Sequence, residues 1–257
     1  MTFSEQFTAF KTIVIKEVLR FSRIWVQTIL PPVITTALYF VIFGNLIGSQ
    51  IGDMDGYSYM DYIVPGLIMM AIITNSYANV VSSFYGHKFQ HNIEELLVSP
   101  IPNYLILLGF ITGGVARGLI VGAMVTIVAL FFSDISVHNI GITLSIVVLT
   151  AVLFALAGFI NGVYAKSFDD ISIIPTFVLT PLTYLGGIFY SIKMLPEFWQ
   201  AASLANPILY MINAFRYGIL GTSDIPVMVS YGIVLAFIAA LFWFSLHLLN
   251  RGYGIRS

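Results

Sequence analysis

The segment 139-NIGITLSIVVLTAVLFALAGFINGVY-164 is apolar along its whole length and contains no Asp, Glu, Lys or Arg. A helix that crosses the hydrocarbon core of a bilayer needs about 20 mostly apolar residues, so this segment is predicted to span a membrane. Outward from it, five other segments have the same character. The predicted spans are 25–47, 59–83, 104–132, 139–164, 171–190 and 226–249. The predicted fold is therefore an all-α integral membrane protein with six transmembrane helices.

Composition supports the same fold class. The 257 residues are 58% apolar and only 9% charged, whereas soluble chains carry about 25% charged residues. This excludes a soluble domain and a disordered chain, and the net charge of −1 excludes nucleic acid as a partner, because polyanion binding requires a basic surplus. The absence of cysteine excludes disulfides and thiolate chemistry. Six spans leave no room for a soluble domain, so residues 1–257 are predicted to form one transmembrane domain.

The basic residues indicate the orientation, because cytoplasmic loops carry an excess of Lys and Arg. Eight of them fall on one predicted side: Lys11, Lys16, Arg20, Arg23, Lys88, Lys166, Arg251 and Arg256. The opposite side has only Lys193 and Arg216, and its loop near 48–58 carries Asp53 and Asp55. Both termini are therefore predicted to lie in the cytoplasm.

The N-terminal residues 1–23 do not have the pattern of a signal peptide. They form an amphipathic helical pattern whose apolar face contains Phe3, Phe7, Phe10, Val14, Val18 and Phe21. Two interpretations stand side by side. The segment is either a helix that lies in the membrane interface or a basic flank that orients the first span.

The stretch 195–220 is apolar but interrupted by Asn206-Pro207, which favours two half-helices that enter the membrane and return. Pro196 and Pro207 suit the first turn of each half-helix, and Gly221 suits the end of the second. Broken backbone at membrane depth is tolerated only when protein or a water-filled cavity surrounds it. The element is therefore predicted to pack against the helix bundle.

The cytoplasmic stretch 87-HKFQHNIEELLVSPIP-102 is the most informative loop. It carries an apolar stripe at helical spacing, beside two acids; the stripe is Phe89, Ile93, Leu96 and Leu97, and the acids are Glu94 and Glu95. An exposed stripe favours a protein-docking surface, while the alternative is a helix that lies on lipid headgroups. Two glutamates fit an anionic leaflet poorly, so docking is favoured. A smaller polar patch on the same side contains Lys166, Asp169 and Asp170.

Within the predicted spans, Arg117 is the one charged side chain that calls for explanation. A charge at mid-span costs about 2.5–3.5 kcal/mol, so Arg117 is predicted to face protein or water, either as a cavity-facing or gating residue or as a structural or snorkelling arginine. Asn75, Asn79 and Asn161 are predicted to form interhelical hydrogen bonds. The fifth span is unusually polar and predicted to line an interface or pathway, through residues that include Thr180, Thr183 and Tyr184.

Motifs for catalysis are missing from the sequence. It contains no GxxxxGK[ST] phosphate loop, no HExxH and no GxSxG. His87 and His91 are four residues apart and could share a helix face, but no third metal ligand stands near them. The sequence therefore predicts neither a catalytic residue nor a metal site.

One segment resembles the signature of the type-2 ABC exporter permeases. Its elements are Leu179, Leu182, Leu185-Gly186, Ile188 and Leu195-Pro196, then ten residues, then Pro207-Ile208, Tyr210 and Arg216. Four further stretches also resemble corresponding segments of that family: FGNLIGS, YMDYIVPGLIMM, NIEELLVSPIP and FDDISIIPTFVLTPLTYLGG. The resemblance covers essentially the whole chain.

The resemblance implies an exporter subunit in the bacterial inner membrane. Two copies would pair as a homodimer, and two separate ABC-type ATPase subunits would bind ATP and Mg, with no cofactor in this chain. Residues 1–23 would be the connecting helix, 87–100 the coupling helix, and 195–220 the external re-entrant hairpin that includes Pro196, Pro207, Tyr210 and Arg216. The first and fifth spans would form the dimer interface, and the second and fifth would face a lipid-like, glycan or drug-like substrate.

A stand-alone secondary transporter or channel is the alternative function. It would be expected to show an internal repeat and a buried acidic site, and neither is evident in the sequence. A membrane-embedded enzyme would need polar catalytic groups at one membrane depth, and Arg117 alone cannot supply both acid and base.

Overall fold

The computed structural model describes residues 1–54 and 56–253, so Asp55 and Arg256 lie outside the described residues. The helices, in chain order, are α1 Phe3–Arg23, α2 Trp25–Tyr39, α3 Gly48–Ile51, α4 Tyr59–Phe89, α5 Asn92–Val98, α6 Asn103–Ala129, α7 Ile140–Tyr164, α8 Asp170–Ile174, α9 Thr180–Tyr184, α10 Glu197–Leu204, α11 Pro207–Leu220 and α12 Val227–Arg251. The π-helical segment Phe40–Ile47 continues α2, and the π-helical segment Pro175–Leu179 joins α8 to α9. The described residues contain no β-strand, and the prediction of an all-α membrane protein is confirmed.

In the part of the chain that the structure describes, five helical segments are long and apolar enough to cross a bilayer: Trp25–Gly44, Tyr59–Phe89, Asn103–Ala129, Ile140–Tyr164 and Val227–Arg251. The predicted fifth span, 171–190, is shorter than expected. It consists of three consecutive five-residue helical segments, which together we call the broken helix (residues 170–184). Their combined length is about 22 Å, whereas a hydrocarbon core is about 30 Å thick. Pro175 and Pro181 lack the backbone N–H that a continuous α-helix needs, and the Thr180 hydroxyl donates to the Pro175 carbonyl at 2.9 Å. The count of six spans is therefore approximate.

The long helix α4 forms the centre of the bundle and packs between α6 and α7. Small residues permit the close approach. A Cβ placed on Gly158 of α7 would lie 2.5 Å from the Tyr77 carbonyl oxygen, and one on Gly122 of α6 would lie 2.6 Å from Ile72. The contacts of α4 with α7 and with α6 therefore each depend on a glycine, which has no side chain to obstruct them.

The N-terminal segment forms a separate helix, α1, which ends at Arg23 and packs along α6. Thr2 and Glu5 form a reciprocal capping box at its start. Its buried residues are Ile13, Glu17 and Phe21, while Phe3 and Phe7 are exposed. The predicted amphipathic helix is therefore observed, but the face packed against the bundle is centred on Glu17 rather than on the aromatic stripe.

The stretch after the broken helix folds back as a helical hairpin, α10 and α11. The turn is at Asn206, whose side chain accepts a hydrogen bond from the Ile208 amide at 3.0 Å and donates to the Leu182 carbonyl at 2.6 Å. Pro196 precedes the first residue of α10, and Pro207 is the first residue of α11. Gly221 ends α11 in a left-handed conformation with φ of 79°. The predicted break and helix ends are therefore observed, and α11 packs on α7, α12 and α4.

Candidate functional site

The two predicted docking loops lie against each other at one end of the bundle. Phe89, the last residue of α4, and Phe168 have ring centroids 5.2 Å apart, and Phe168 also stacks edge-on against Tyr85 at 4.9 Å. Lys88 Nζ donates to the carbonyl oxygens of Val163 and Ala165 at 2.8 and 2.7 Å. We call residues 85–98 together with 163–170 the loop cluster.

The apolar stripe of the first loop does not face outward as predicted. Phe89 is 60% exposed, but Ile93 is only 1% exposed and packs in a cluster with Phe84 and Phe110. Leu96 and Leu97 are half-buried against the same cluster. The physical reason is the left-handed conformation of His91, with φ of 59°, because this turn redirects α5 so that its apolar side meets the bundle.

The outer surface of the loop cluster is therefore made by different side chains from the predicted stripe. Glu95 and Val98 are exposed and Glu94 is half-buried, so α5 presents acids and one apolar residue to its surroundings. His87 and His91, which the sequence spacing could have placed on one helix face, lie in α4 and in the turn before α5. His87 Nδ1 bonds to the Ser83 carbonyl at 2.8 Å, and His91 contacts Glu94 at 3.3 Å. Among the described residues, no group of three or more His, Asp or Glu is placed to bind a metal.

The second loop is held by its own aspartate. The Asp170 carboxylate accepts hydrogen bonds from the Lys166 and Ser167 amides at 2.8 and 3.1 Å. These bonds, with the side chain of Ser167, hold the pKa of Asp170 below its ordinary value of 3.8. Lys166 and Asp169 are exposed, so they remain available for a partner while Asp170 shapes the turn.

A groove of about 370 Å³ runs between α2, α4 and α6, with apolar walls that carry several polar side chains. Arg117 lies in it, and its Nη2 donates to Asn75 Oδ1 at 3.2 Å. The side-chain nitrogen Nδ2 of Asn75 in turn donates to the Ala71 carbonyl at 2.9 Å. The other polar residues that line the groove are Gln27, Thr28, Thr35, Thr36 and Thr74. Arg117 and Asn75, which the sequence singled out separately, are therefore hydrogen-bonded to each other in the wall of this groove.

A second cavity of about 190 Å³ lies between α4 and the broken helix. Its walls include three residues predicted to line a pathway: Thr180, Thr183 and Tyr184. Thr74 of α4 borders both cavities, so one face of α4 separates the two openings. The hydroxyl of Thr183 donates to the Leu179 carbonyl at 2.6 Å.

A buried ionic network that the sequence did not reveal connects α1 to α4. Glu17 is 1% exposed; its Oε1 accepts a hydrogen bond from Ser83 Oγ at 2.7 Å, and its Oε2 lies 3.4 Å from Arg20 Nε. Arg20 Nη2 also donates to the Asn79 side-chain and main-chain oxygens at 2.7 and 2.9 Å. The predicted interhelical hydrogen bond of Asn79 is thus observed. The sequence feature that could have indicated this ion pair is the i, i+3 spacing of Glu17 and Arg20 on one helix.

The hairpin residues of the family signature tie the opposite end of the bundle together. Arg216 is buried, lies 4.0 Å from the centroid of the Tyr62 ring, and donates to the Gly187 carbonyl at 2.6 Å. The Tyr210 hydroxyl donates to the Leu204 carbonyl at 2.7 Å, across the turn at Asn206. These contacts hold the hairpin in place and point to a structural contribution.

Comparison with known proteins identifies the family. A model of the ABC-2 type transporter family matches residues 8–220. The inner membrane transport permease YadH of Escherichia coli (strain K12) is 61% identical over 249 residues, which cover 97% of each chain. Nodulation protein J of Rhizobium meliloti (strain 1021) is 23% identical over 234 residues, 91% of this chain and 89% of that protein. The apolar helices and these matches show a multi-pass bacterial inner membrane protein and a transmembrane subunit of an ABC transporter, and the chain belongs to the ABC-2 type transporter family.

Proposed function

We propose that this chain is the permease of an ATP-driven exporter that moves a lipid-like, glycan or drug-like substrate out of the cytoplasm. Two copies would form the pathway, and each would dock a separate ABC-type ATPase subunit that binds ATP and Mg. The observation that carries the proposal is the loop cluster, because it joins two loops far apart in sequence into one exposed surface.

The side chains available for docking are apolar and acidic. Phe89, Val98 and Phe168 are exposed large apolar residues, and Glu95 stands among them. Exposed apolar patches with polar residues around them are typical of protein interaction sites. In this proposal the ATPase covers Phe89 and Phe168 together, and Glu94, Glu95, Lys166 and Asp169 provide polar contacts at its margin.

The loop cluster is placed so that a bound partner can act on the transport path. Phe89 is the last residue of α4, and Phe168 stands two residues before α8. The helix α4 and the broken helix are also the two walls of the second cavity. A force that moves Phe89 relative to Phe168 would therefore widen or narrow the space beside Thr180, Thr183 and Tyr184.

The remaining surfaces fit a paired permease. The helix α2 and the segment 170–184 expose apolar side chains, including Ile34, Leu38 and Phe177, which suit a second copy or lipid. The hairpin α10–α11, with both termini in the cytoplasm, would lie on the periplasmic side and close the path there. The connecting helix α1 would follow the motion of α4 through Glu17 and Arg20.

Charge reversal at the loop cluster tests the proposal. The variant Glu94→Lys/Glu95→Lys and the variant Phe89→Ala are each expected to lower co-purification of the ATPase subunit at least about tenfold, since a docking surface concentrates its energy in few side chains. The matched control is Phe198→Ala, which alters an exposed aromatic residue of the hairpin. Undiminished co-purification and transport in both cluster variants would contradict the assignment, as would gradient-driven flux through the chain alone.

A further inference from the structure

Arg117 is half-buried and lies near the middle of the length of α6. It is fourteen residues after the start of α6 at Asn103 and bonds to Asn75, which is fourteen residues before the end of α4 at Phe89. At a rise of about 1.5 Å per residue, both positions are about 21 Å from the same end of their helices. A hydrocarbon core is about 30 Å thick, so a guanidinium at this position is remote from bulk water on both sides.

The positive charge of Arg117 is not balanced by an acid in the part of the chain that the structure describes. The ion pairs there are Arg20 with Glu17, His91 with Glu94, and Lys193 with Asp224. Glu17 already serves Arg20 and Ser83. Arg20 bonds to Asn79, one helical turn along α4 from Asn75, and its charge is paired with Glu17. Among the described residues that line the groove, Arg117 is therefore the one charged side chain, and it makes that wall positive.

The hydrogen-bonding capacity of Arg117 is also incompletely used. A guanidinium has five N–H donors and no acceptor. One donates to Asn75 Oδ1, while the buried Nε has no hydrogen-bond partner among the described residues. Arginine forms paired, charge-assisted hydrogen bonds to planar carboxylates and to phosphates. Charge and free donors together favour an anionic oxygen ligand.

We propose that the groove between α2, α4 and α6 binds an amphipathic molecule with an acidic headgroup, a phosphate or a carboxylate, through Arg117. The inference deepens the proposed function and rests on it, because it names the chemical class of substrate. The volume of about 370 Å³ is within the range of small-molecule sites, about 300–1,000 Å³, and suits a headgroup rather than a whole lipid.

The surroundings of the groove suit the other parts of such a molecule. Gln27 and Thr35 line it beside Arg117 and can hydrogen-bond to ester or hydroxyl groups. The neighbouring face of α2 exposes Ile34 and Leu38, along which an alkyl chain can lie. A cationic ligand would meet an uncompensated arginine, so the same geometry disfavours it.

Binding to the purified full-length chain in nanodiscs of zwitterionic lipid tests this site without the ATPase. The probe is a fluorescent single-chain alkyl phosphate, followed by anisotropy, and Arg117→Gln is expected to weaken its binding at least about tenfold. Arg117→Lys, which keeps the charge but loses the paired donors, is expected to bind the probe more weakly than the original chain and more tightly than Arg117→Gln. Arg23→Gln removes an exposed surface charge and is the control for non-specific attraction.

A second variant covers the case in which Arg117→Gln fails to fold. Thr35→Trp fills the groove from its exposed α2 wall and leaves Arg117 and Asn75 in place, and it is also expected to weaken probe binding at least about tenfold. Competition then separates the sources of the headgroup. Displacement by phosphatidic acid in the nanodisc identifies a membrane lipid, and displacement by a soluble alkyl phosphate alone identifies cargo; either result supports the acidic headgroup.

Two results would overturn the inference. One is equal displacement of the probe by a chain-matched neutral alkyl glucoside; the other is unchanged probe affinity in folded Arg117→Gln. Neither depends on the ATPase. Undiminished co-purification of the ATPase in the loop-cluster variants would therefore reject the exporter proposal, while probe binding would still report on the groove.

Discussion

The helices α4 and α2 are both apolar enough to cross a bilayer, yet they differ in what surrounds them. In the most apolar window of each span, 83% of the residues of α4 are buried inside the bundle, against 17% in the span Trp25–Gly44 that begins with α2. The faces of α4 meet glycines of α6 and α7, whereas α2 exposes Ile34 and Leu38 together with Thr35. Hydropathy alone cannot separate the two helices. The difference distinguishes a helix that organises its own chain from one that offers a surface to lipid, substrate or another chain.

The same contrast separates the polar residues of the two helices. On α4, Ser83 and Asn79 are buried and bonded to α1, so they stabilise the fold. On α2, Gln27 and Thr35 face the groove beside Arg117. Ser83 and Asn79 of α4 therefore serve the chain itself, and Gln27 and Thr35 of α2 are available to a ligand.

Truncation of one isoleucine on each helix breaks the comparison most directly. Ile68 of α4 is 1% exposed and Ile34 of α2 is 50% exposed. We expect Ile68→Ala to lower the free energy of unfolding by about 2–5 kcal/mol, because it leaves a cavity, and Ile34→Ala to change it by less than about 0.5 kcal/mol. Unfolding in mixed micelles with dodecyl sulfate, followed by circular dichroism, measures both. Equal losses would show that α2 is as tightly packed as α4.

A side chain added at a glycine contact of α4 is expected to have the next largest effect. Gly158→Val would place a Cβ against the Tyr77 carbonyl oxygen, which is backbone and cannot rotate away. Overpacking of this kind costs about 1–3 kcal/mol. The control is Gly232→Val on α12, where an added Cβ would have no neighbour within 4 Å. The same unfolding assay applies, and a Gly158→Val midpoint equal to that of the control would argue against close packing of α4 and α7.

The polar side of α4 is tested by neighbouring serines. Ser83 donates to the buried Glu17 carboxylate, while Ser82 bonds only to carbonyls of its own helix among its observed contacts. We expect Ser83→Ala to lower the free energy of unfolding by about 1.5–3 kcal/mol, the range for hydrogen bonds to charged groups, and Ser82→Ala to have a smaller effect. Hydrogen exchange of α1 amides gives an independent measure, and unaltered protection of α1 in Ser83→Ala would exclude Glu17 as its attachment to α4.

The smallest effect concerns pH and the loop cluster, where α4 ends. The pKa of Asp170 is lowered in the folded protein by hydrogen bonds from the Lys166 and Ser167 amides. The carboxylate therefore stabilises the loop at pH values above 3.8, its ordinary pKa, and the contribution is lost as pH falls through the lower folded value. We expect Lys166 and Ser167 amide protection to fall in that acidic range. Asp170→Asn should remove most of this pH dependence, and an unchanged profile would contradict the role of the carboxylate.

Sequence patterns predicted the helices well because apolar length and helix-ending residues act locally. The spans near 139–164 and 226–249, the break at Asn206-Pro207 and the end at Gly221 all depend on residues close in sequence. The fifth span was overestimated, since Pro175 and Pro181 limit helix length more than hydropathy indicates.

The sites were less predictable because they depend on which helix meets which. The periodicity of α5 identified an apolar stripe, but the turn at His91 directs Ile93 into the bundle. Glu17 is a charged residue in an amphipathic helix, and only the glycine face of α6 explains its burial: a Cβ on Gly113 would lie 2.6 Å from Glu17 Cβ. The groove at Arg117 likewise combines residues from three helices that no single sequence pattern connects.

The contacts of Lys88 have a consequence for the order of biogenesis. Its ammonium group bonds to the carbonyl oxygens of Val163 and Ala165, which lie 75 and 77 positions later in the chain. A nascent polypeptide that has been translated only as far as α6 therefore has neither of these acceptors, nor the Phe168 ring that contacts Phe89. The loop cluster is completed only when the ribosome has passed Phe168, so any factor that recognises this surface distinguishes a permease that already contains α7 from a shorter nascent chain.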